Sequence, residues 1–396
     1  MMTRYSFLNG DNGDNGDNGD NGDNGDNGDA GMAGATGQLA GSGFYRVSAR
    51  SLIRSRDGIT GFWETPAGPV NQYPAGDGEN MAHWSPRVRA RVIQSDLLSH
   101  IVVTAHEAGE AAARISHLHW TRDRDGNPAD IGSAAFVDLI RPTEEVFRQQ
   151  VGLVANYAAL RNDRAEEIID QLSYPTGFFA SVAGLHPSRH RYTLDLVAAC
   201  QALASSVGLQ VKHLLACKRP DAWSAQIQPM IQTPGHGSLP SGHATEAFCA
   251  ARVLQLLTRD AAAQGGSGYT VPHLQDDMLM RLATRIAVNR TVAGVHFPVD
   301  SIAGAALGLA LGEYFAGRSG EGGMSTIAAV RFNGPVAGAE DFACQTLWNA
   351  DASKRAEMKD IVEIGNTSSM ADLALADCDV SAPLNWLWKQ ARAEWG

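Results

Sequence analysis

The sequence is poor in cysteine, and its cysteines have no regular spacing. Only five occur among 396 residues. The odd number and the scatter argue against a disulfide framework and against a cysteine-bound metal. We therefore expect reduced, mostly buried thiols in a cytoplasmic protein, with one disulfide plus spare thiols as the alternative. The cysteines are Cys200, Cys217, Cys249, Cys344 and Cys378.

The sequence also has no signal peptide, no long apolar run and no excess of positive charge. No apolar stretch follows Met1 in the way that a secretion signal requires. The most apolar segment, Ile302 to Leu311, is rich in glycine and alanine and is shorter than a bilayer-spanning helix. The net charge of −11 gives no reason to expect a nucleic-acid partner. These features predict a soluble protein without a membrane partner.

The first 43 residues differ in composition from the rest of the chain. Residues 9–29 consist of seven Asn-Gly-Asp triplets, which carry most of the net negative charge. Such a repeat has no apolar surface to bury, and it is followed by a Gly/Ala/Ser-rich linker over residues 30–43. We predict a disordered tail over residues 1–43 and a folded body over residues 44–396.

The folded body is dominated by helical patterns, and alternation typical of strands is nearly absent. We predict an all-α fold, a large helical bundle formed by two packed four-helix-type bundles with long irregular connections. The glycine and alanine content of the later helices predicts close helix packing. Helices are predicted at 88–98, 101–113, 142–160, 164–172, 193–217, 241–259, 276–293, 299–315, 354–364 and 384–395.

The segment from Thr233 to His243 reads TPGHGSLPSGH and has the features of an oxyanion site. Its small residues allow the backbone to approach an anion closely, and Ser241-Gly242 opens a predicted helix. The N-terminus of a helix presents free N–H groups to an anion. Two histidines, His236 and His243, flank this turn.

Cationic side chains lie on both sides of this segment. Upstream, Lys212 and Arg219 are seven residues apart, so both are expected on one face of a helix that Pro220 ends. Downstream, Arg290 is followed by His296 and by Asp300 four residues later. Since Pro298 suits the first turn of a helix, Asp300 is predicted to hold the imidazole of His296.

Taken together, three motifs resemble the signature shared by vanadium-dependent haloperoxidases and type-2 phosphatidic-acid phosphatases. They are Lys212-x6-Arg219-Pro220, Pro240-Ser241-Gly242-His243 and Arg290-x5-His296-x3-Asp300. They span residues 212–300, where we place the anion site. The third motif of the family normally begins with Ser-Arg, whereas this chain has Asn289-Arg290. The resemblance is closer to the bacterial vanadium haloperoxidases.

The resemblance implies a role for each matching residue. Lys212, Arg219 and Arg290 would neutralise the equatorial oxygens of vanadate or phosphate, and Ser241 and Gly242 would donate hydrogen bonds. His296 would ligate vanadium, or it would form a phosphohistidine in a phosphatase.

The acid–base group would be His243, and Asp300 would orient His296. An imidazole at the position of His236 resembles the bromide-oxidising haloperoxidases. The predicted catalytic set is therefore His243, His296, Lys212, His236 and Asp300.

The favoured interpretation is a vanadate-dependent haloperoxidase. Its cofactor would be vanadate, and it would use hydrogen peroxide to oxidise bromide or iodide to a hypohalous species. That species would then halogenate a small organic substrate. The chain length, the apparent lack of transmembrane helices and His236 favour this interpretation. The alternative is a soluble acid phosphatase that works through a phosphohistidine at His296, since phosphate can occupy the same site. By resemblance, a homo-oligomer is expected.

Two further features allow more than one interpretation. The pair His117-Leu-His119 can begin a metal site, but no third ligand is evident, so surface or core histidines are favoured. Trp223 follows Arg219-Pro220 closely and is either a wall of the pocket or part of the core.

Overall fold

The computed structural model describes residues 49–122, 128–266, 272–343, 347, 360–367 and 369–396. The predicted tail, the linker and Cys344 lie outside these residues. The helices are α1 Ala49–Ile59, α2 Pro86–Ser99, α3 Glu144–Tyr157, α4 Arg161–Asp170, α5 Thr176–Ala183, α6 Arg191–Leu215, α7 Pro220–Trp223, α8 Gly242–Ala263, α9 Pro272–Val292, α10 Pro298–Ser319 and α11 Ala382–Ala393. The strands are β1 Ile101–Glu107, β2 Ala111–Arg122, β3 Pro128–Ile140, β4 Thr326–Ile327, β5 Val330–Asn333, β6 Val362–Ile364 and β7 Leu373–Ala374.

The fold is mixed, and the all-α prediction is wrong. Five strands form one sheet in the order β1-β2-β3-β5-β6, in which β3 and β5 are parallel and the other neighbours are antiparallel. Strands β4 and β7 form a second, two-stranded sheet. The helical bundle is therefore packed with a sheet that the sequence pattern did not indicate.

The segment predicted as one helix over 101–113 instead forms β1 and the start of β2. The two strands pair antiparallel, with Val103 opposite Ile115. Along β2 the alternate positions Ala113, Ile115 and His117 are buried, and the small residues Ala112 and Ser116 are buried as well. A histidine in the core conceals this alternation from a search for apolar residues, and the β-branched start of β1 favours a strand.

The prediction of a helix near residues 354–364 is also wrong where the structure describes the chain. Residues 354–359 lie outside the described part of the chain. Val362–Ile364 form β6, which pairs antiparallel with β5. A three-residue strand is too short to be recognised from periodicity alone.

Eight of the predicted helices are confirmed as α2, α3, α4, α6, α8, α9, α10 and α11, with shifted ends. One shift affects the site. Helix α6 ends at Leu215, where Ala216 adopts a left-handed conformation with φ 48°. The seven-residue spacing predicted that Arg219 and Lys212 lie on one helix face. This prediction is wrong, because Arg219 lies beyond the end of α6. It precedes α7, in which Pro220 is the first residue rather than a terminator of α6.

Helices α8 and α10 approach each other closely, as their small residues predict. A Cβ atom on Gly304 of α10 would lie 2.7 Å from the carbonyl oxygen of Ser241 and 2.8 Å from Cβ of Ala244. Gly308, one turn later, faces Thr245 in the same way. Glycine is therefore required where α10 crosses the start of α8, and this contact sets the position of the PSGH turn.

Two segments are long and apolar enough to cross a membrane, Arg191–Trp223 and Pro298–Ser319. Inside the protein, 78% and 100% of their most apolar windows are buried. The second segment contains the run from Ile302 to Leu311, so the helix is longer than the apolar run suggested. Burial of this extent is also found in the central helices of a core, and α6, α8 and α10 contribute many residues to the main hydrophobic cluster.

The N-terminal part of the described chain is an exposed arm, residues 52–77. Every residue in this range is exposed, although the arm carries seven large apolar side chains. These side chains are Leu52, Ile53, Ile59, Phe62, Trp63, Val70 and Tyr73. An exposed apolar segment of this size is unusual for a monomer.

Candidate active site

The start of α10 brings a histidine and a carboxylate together. His296 precedes the helix, Pro298 is its first residue and Asp300 lies in its first turn. Oδ2 of Asp300 lies 3.0 Å from Nδ1 of His296 and accepts the main-chain N–H of Phe297 at 3.0 Å. The hydroxyl of Ser238 donates to the same oxygen. The predicted histidine–carboxylate contact is thus present, and both side chains are buried.

Arg219 contacts the other nitrogen of the same imidazole. Its Nη1 lies 3.2 Å from Nε2 of His296 and donates to the carbonyl oxygen of Val295 at 2.8 Å. Its Nε donates to the carbonyl oxygen of His236 at 3.1 Å. Because Nδ1 faces the carboxylate of Asp300, the arginine N–H points at the unprotonated Nε2. His296 therefore has the tautomer that a nucleophile or a ligand needs, with a cation beside the reactive nitrogen.

Lys212 is held by the loop that precedes α8. Its Nζ donates to the carbonyl oxygens of Gly237 at 3.0 Å and Ser238 at 2.9 Å. The N–H of Ser241 donates to the carbonyl oxygen of Asp300 at 2.9 Å. These bonds connect the lysine of the first motif, the loop of the second and the helix start of the third.

Ser241 is the N-cap of α8, and its Oγ accepts the N–H of Ala244 at 3.4 Å. Gly242 is the first residue of the helix, so its N–H belongs to the first turn, which has no intrahelical acceptor. Such N–H groups favour a bound anion. A Cβ on Gly242 would meet Oε1 of the buried Glu246 at 3.8 Å and Cε of Lys212 at 4.0 Å.

Arg290 and His243 share a partner that the sequence did not indicate, Gln171 at the end of α4. Nη2 of Arg290 donates to Oε1 of Gln171 at 3.2 Å and to the carbonyl oxygen of Ile168 at 3.1 Å. Nε2 of His243 lies 2.7 Å from the carbonyl oxygen of Gln171. Arg290 is 1% exposed, yet its Nε and Nη1 have no hydrogen-bond partner among the residues that the structure describes. Two buried cationic N–H groups are thus available to an anion.

Asn289 replaces the serine of the family motif, and it is fully hydrogen-bonded. Its Nδ2 donates to Oε1 of Gln171 and to Oε1 of Glu167, each at 2.9 Å. Its Oδ1 accepts Nη1 of Arg164 at 2.8 Å. The amide therefore joins α9 to α4, and the departure from the motif is explained by these partners.

The electrostatics of the site disfavour added positive charge. Burial, and then Arg219, lower the pKa of Lys212 well below its usual value. Burial lowers the pKa values of Arg219 and Arg290 to about 10. A bound anion with two or three negative charges would offset this clustering of cations.

The pKa values of the two site histidines are lowered as well. Burial, and then Arg290, lower the pKa of His243 to about 3. Burial, and then Arg219, lower the pKa of His296 well below its usual value. Burial raises the pKa of Asp300 to about 6. Both imidazoles are therefore neutral near pH 7, as a nucleophile and a proton acceptor require.

His236 lies at the edge of this cage. Its Nδ1 is 3.1 Å from Nη2 of Arg219, and its side chain is partly exposed. The sequence predicts that His236 lies beside the anion site, and its contact with Arg219 supports this.

His117 and His119 lie on β2, away from the cage. His117 is buried, with Nδ1 3.0 Å from the hydroxyl of Tyr314 and Nε2 3.2 Å from Oδ1 of Asp379. Among the described residues, no group of three or more His, Cys, Asp or Glu side chains is arranged to hold a metal ion. The core interpretation of His117 is confirmed.

Trp223 packs against Phe147, with ring centroids 5.6 Å apart, and Phe147 packs against Phe297 at 5.1 Å. This aromatic row ends at Phe297, the residue after His296, so Trp223 belongs to the packing next to the site. Of the described cysteines, Cys200, Cys217 and Cys249 are buried and free, and Cys378 is exposed and free.

One segment of the chain matches a known family model. Residues 195–316 match the family model described as the PAP2 superfamily. The match begins within α6 and ends within α10, so it contains all three motifs. Members of this superfamily are enzymes, most often phosphatases.

A curated relative is a phosphatase. Over 126 residues, 32% of this chain, the sequence is 29% identical to decaprenylphosphoryl-5-phosphoribose phosphatase of Mycobacterium tuberculosis, strain CDC 1551 / Oshkosh. The same protein of strain ATCC 25618 / H37Rv matches to the same extent. The chain spans 60% of the length of these relatives.

Proposed function

We propose that this protein hydrolyses phosphate monoesters through a phosphohistidine at His296. The observation that carries the proposal is the line from Asp300 through His296 to Arg219, with separations of 3.0 and 3.2 Å. This line leaves Nε2 of His296 unprotonated and beside a cation. The PAP2 match and the phosphatase relative favour this chemistry over the haloperoxidase that the sequence first suggested.

In the first step, Nε2 of His296 attacks phosphorus, and the bond from phosphorus to the ester oxygen breaks. Lys212, Arg219 and Arg290 neutralise the negative charge on the non-bridging oxygens. Bidentate contacts of guanidinium groups with such oxygens are strong, and the unpartnered N–H groups of Arg290 are suited to them. Ser241 and the N–H of Gly242 supply further donors.

His243 transfers the proton in both steps. It gives a proton to the leaving alcohol oxygen, then takes one from the water that attacks the phosphohistidine and breaks the N–P bond. Its pKa of about 3 in the cationic cage leaves it neutral near pH 7. A phosphate dianion brings negative charge next to it, which raises this pKa and allows it to act as an acid.

The test is hydrolysis of an aryl phosphate by the purified protein. We expect turnover that orthovanadate inhibits and that His296→Ala abolishes. A phosphorylated intermediate that survives alkali but not acid, trapped from wild type and missing from His296→Ala, would identify the nucleophile. A wild-type protein that binds orthovanadate but hydrolyses no phosphate ester would contradict the proposal.

A second candidate, a vanadate-dependent haloperoxidase, is favoured by one observation. His236 contacts Arg219 through Nδ1, at the edge of the cage, where a histidine resembles the bromide-oxidising members of that family. The substrates would be hydrogen peroxide, bromide or iodide, and a small organic molecule.

The donor set fits vanadate as well as phosphate, because both are tetrahedral oxyanions and the unpartnered N–H groups of Arg290 suit either. Lys212, Arg219, Ser241, Gly242 and Arg290 would hold its oxygens, and His296 would supply the nitrogen ligand. Bound vanadate would supply a Lewis acid that polarises hydrogen peroxide toward attack by a halide. His243 would accept the proton of the peroxide.

One assay separates the two candidates. Protein loaded with orthovanadate is tested for peroxide-dependent bromination of a diketone dye precursor, alongside hydrolysis of an aryl phosphate. Bromination that disappears in His296→Ala favours the haloperoxidase, whereas hydrolysis alone favours the phosphatase. If bromination occurs and His236→Ala leaves bromide turnover unchanged, the argument from His236 is wrong.

A homo-oligomer and a cytoplasmic location belong to the same proposal. The exposed arm supports the first, because its seven apolar side chains are exposed in a single copy of the chain. The apolar side chains of this arm therefore offer a contact surface to a second copy of this chain.

A further inference from the structure

Gln171 stands at the meeting point of two site residues that come from different helices. It is the residue after α4 and is 0% exposed. Its main-chain oxygen contacts His243 at the start of α8, and its side-chain oxygen accepts Arg290 near the end of α9. None of the three sequence motifs includes this residue. We propose that Gln171 is the positioning residue of the site, which aims Arg290 with its side chain and sets the tautomer of His243 with its main chain.

The main-chain contact determines which nitrogen of His243 moves the proton. A carbonyl oxygen can only accept, so Nε2 of His243, 2.7 Å from the oxygen of Gln171, must carry hydrogen. The neutral ring then has its lone pair on Nδ1. Proton transfer to and from substrate therefore takes place at Nδ1, while Nε2 remains bound to the carbonyl.

The side-chain contact positions the anion-binding arginine. Oε1 of Gln171 accepts both Nη2 of Arg290 and Nδ2 of Asn289. Nε2 of Gln171 donates to Oε1 of Glu167 at 3.2 Å, which fixes the orientation of the amide. With Nη2 held in this way, Nε and Nη1 of Arg290 remain as the unpartnered donors.

Mutation can distinguish the side-chain contact of Gln171 from its main-chain contact, because a side-chain substitution leaves the carbonyl group in place. In Gln171→Met we expect the affinity for orthovanadate to fall about 10- to 100-fold, the effect of losing support behind a charged ligand. For aryl phosphate, KM rises more than kcat falls. The pH profile of kcat stays unchanged, because the hydrogen bond to His243 remains. A purely structural role would lower the active fraction without changing the dissociation constant.

The matched control is Gln201→Met. Gln201 is also a 0% exposed glutamine, on α6, but within the described part of the chain its amide atoms have no hydrogen-bond partner. We expect its affinity for orthovanadate to stay within about twofold of wild type, since its amide donates no hydrogen bond to a site residue and accepts none. Isothermal titration calorimetry with orthovanadate measures all three proteins. Equal affinity in Gln171→Met and wild type would overturn the side-chain role.

The tautomer is read from the spectrum of the wild-type protein, and a variant is needed only to assign the signal. Long-range ¹H–¹⁵N spectra distinguish the two neutral forms of an imidazole, and comparison with His243→Gln assigns the signal. We expect hydrogen on Nε2 of His243; hydrogen on Nδ1 would overturn the main-chain role.

This inference rests on the proposed anion-binding function, and the two fail differently. Wild-type protein that binds neither orthovanadate nor phosphate would contradict the proposed function. Wild-type protein that binds orthovanadate, with an unchanged dissociation constant in Gln171→Met, would contradict only the role of the Gln171 side chain.

Discussion

Nδ1 of His296 lies 3.0 Å from Oδ2 of Asp300, and both side chains are almost completely buried. The same oxygen also accepts Ser238 Oγ and the N–H of Phe297. Three donors on one carboxylate oxygen hold the group in a single orientation. Because Nδ1–H faces that oxygen, Nε2 keeps its lone pair toward Arg219. This contact gives His296 the same form for phosphoryl transfer and for vanadium ligation.

Substitution of Asp300 by Asn should separate position from charge. An amide can still accept a hydrogen bond, but it no longer stabilises the imidazolium character that develops as His296 reacts. We expect kcat for an aryl phosphate to fall about 10- to 100-fold with a smaller change in KM. The control is Asp277→Asn, which removes a carboxylate paired with Arg281 on the surface of α9. Wild-type kcat in Asp300→Asn would contradict the role assigned to this carboxylate.

Arg290 should contribute mainly to anion binding. Its Nε and Nη1 are buried donors without partners, so Arg290→Met removes donors that only an anion satisfies. A hydrogen bond to a charged group contributes about 1.5–3 kcal/mol, so orthovanadate should bind about 10- to 100-fold more weakly. The rise in melting temperature caused by orthovanadate should shrink accordingly. Arg281→Met, an exposed arginine of α9, is the control and should keep the wild-type response.

The lowered pKa of His243 predicts how stability depends on pH. The unfolded chain binds a proton at this residue below pH 6.5, whereas the native protein does so only near pH 3. Between these values the unfolded state holds more protons, so this histidine lowers the stability as the pH falls. His296 acts in the same direction, while Asp300, with its pKa raised to about 6, acts oppositely.

The comparison that isolates His243 is the free energy of unfolding of wild type and His243→Gln, measured in urea between pH 6.5 and 4.5. We expect the variant to lose less stability on acidification, with a difference of at most about 1.4 kcal/mol per pH unit for one proton. His213→Gln, at an exposed position of α6, should keep the wild-type slope. Equal slopes in wild type and His243→Gln would show that His243 is not buried as a neutral ring.

Most of the helices could be predicted from the sequence, because long amphipathic segments with proline or serine at their starts leave a clear pattern. The sheet could not. β2 places a histidine at a buried position, and its partner Tyr314 is 197 residues away in sequence. This side-chain contact with helix α10 leaves no local signal in β2, and the short strands β4 to β7 are stabilised by their neighbours rather than by their own composition.

The site divides in the same way. Eight residues of the site could be chosen in advance, because their residue types suit an oxyanion and their order matches three motifs. They are Lys212, Arg219, Ser241, Gly242, His243, Arg290, His296 and Asp300. Gln171 could not be chosen in this way, since its main-chain oxygen is one that any residue has and its side chain lies outside the three motifs. The seven-residue spacing of Lys212 and Arg219 misled because α6 ends at Leu215, before the arginine is reached.

The exposed arm predicts a self-association that depends on its aromatic residues. Phe62 and Trp63 are 100% and 81% exposed. We expect sedimentation equilibrium to give a wild-type mass of at least twice the 42.1 kDa chain. The double variant Phe62→Ser/Trp63→Ser should give a lower mass. Trp120→Ser changes an exposed tryptophan of β2 outside the arm and serves as the control. A monomeric wild type would contradict this part of the proposal.

The close crossing of α8 and α10 predicts that one methyl group affects both stability and activity. In Gly304→Ala the new Cβ would lie 2.7 Å from the carbonyl oxygen of Ser241, so the start of α8 must move. Overpacking of this kind costs about 1–3 kcal/mol of unfolding free energy, and kcat should fall because the PSGH turn is displaced.

Gly152→Ala is the matched control, since a Cβ there, on α3, meets nothing within 4 Å. Replacing a helical glycine by alanine in open space should raise stability by about 0.5–1 kcal/mol without changing kcat. Urea unfolding and aryl phosphate hydrolysis measure both effects. A Gly304→Ala protein as stable and active as wild type would mean that α8 does not depend on this contact for its position.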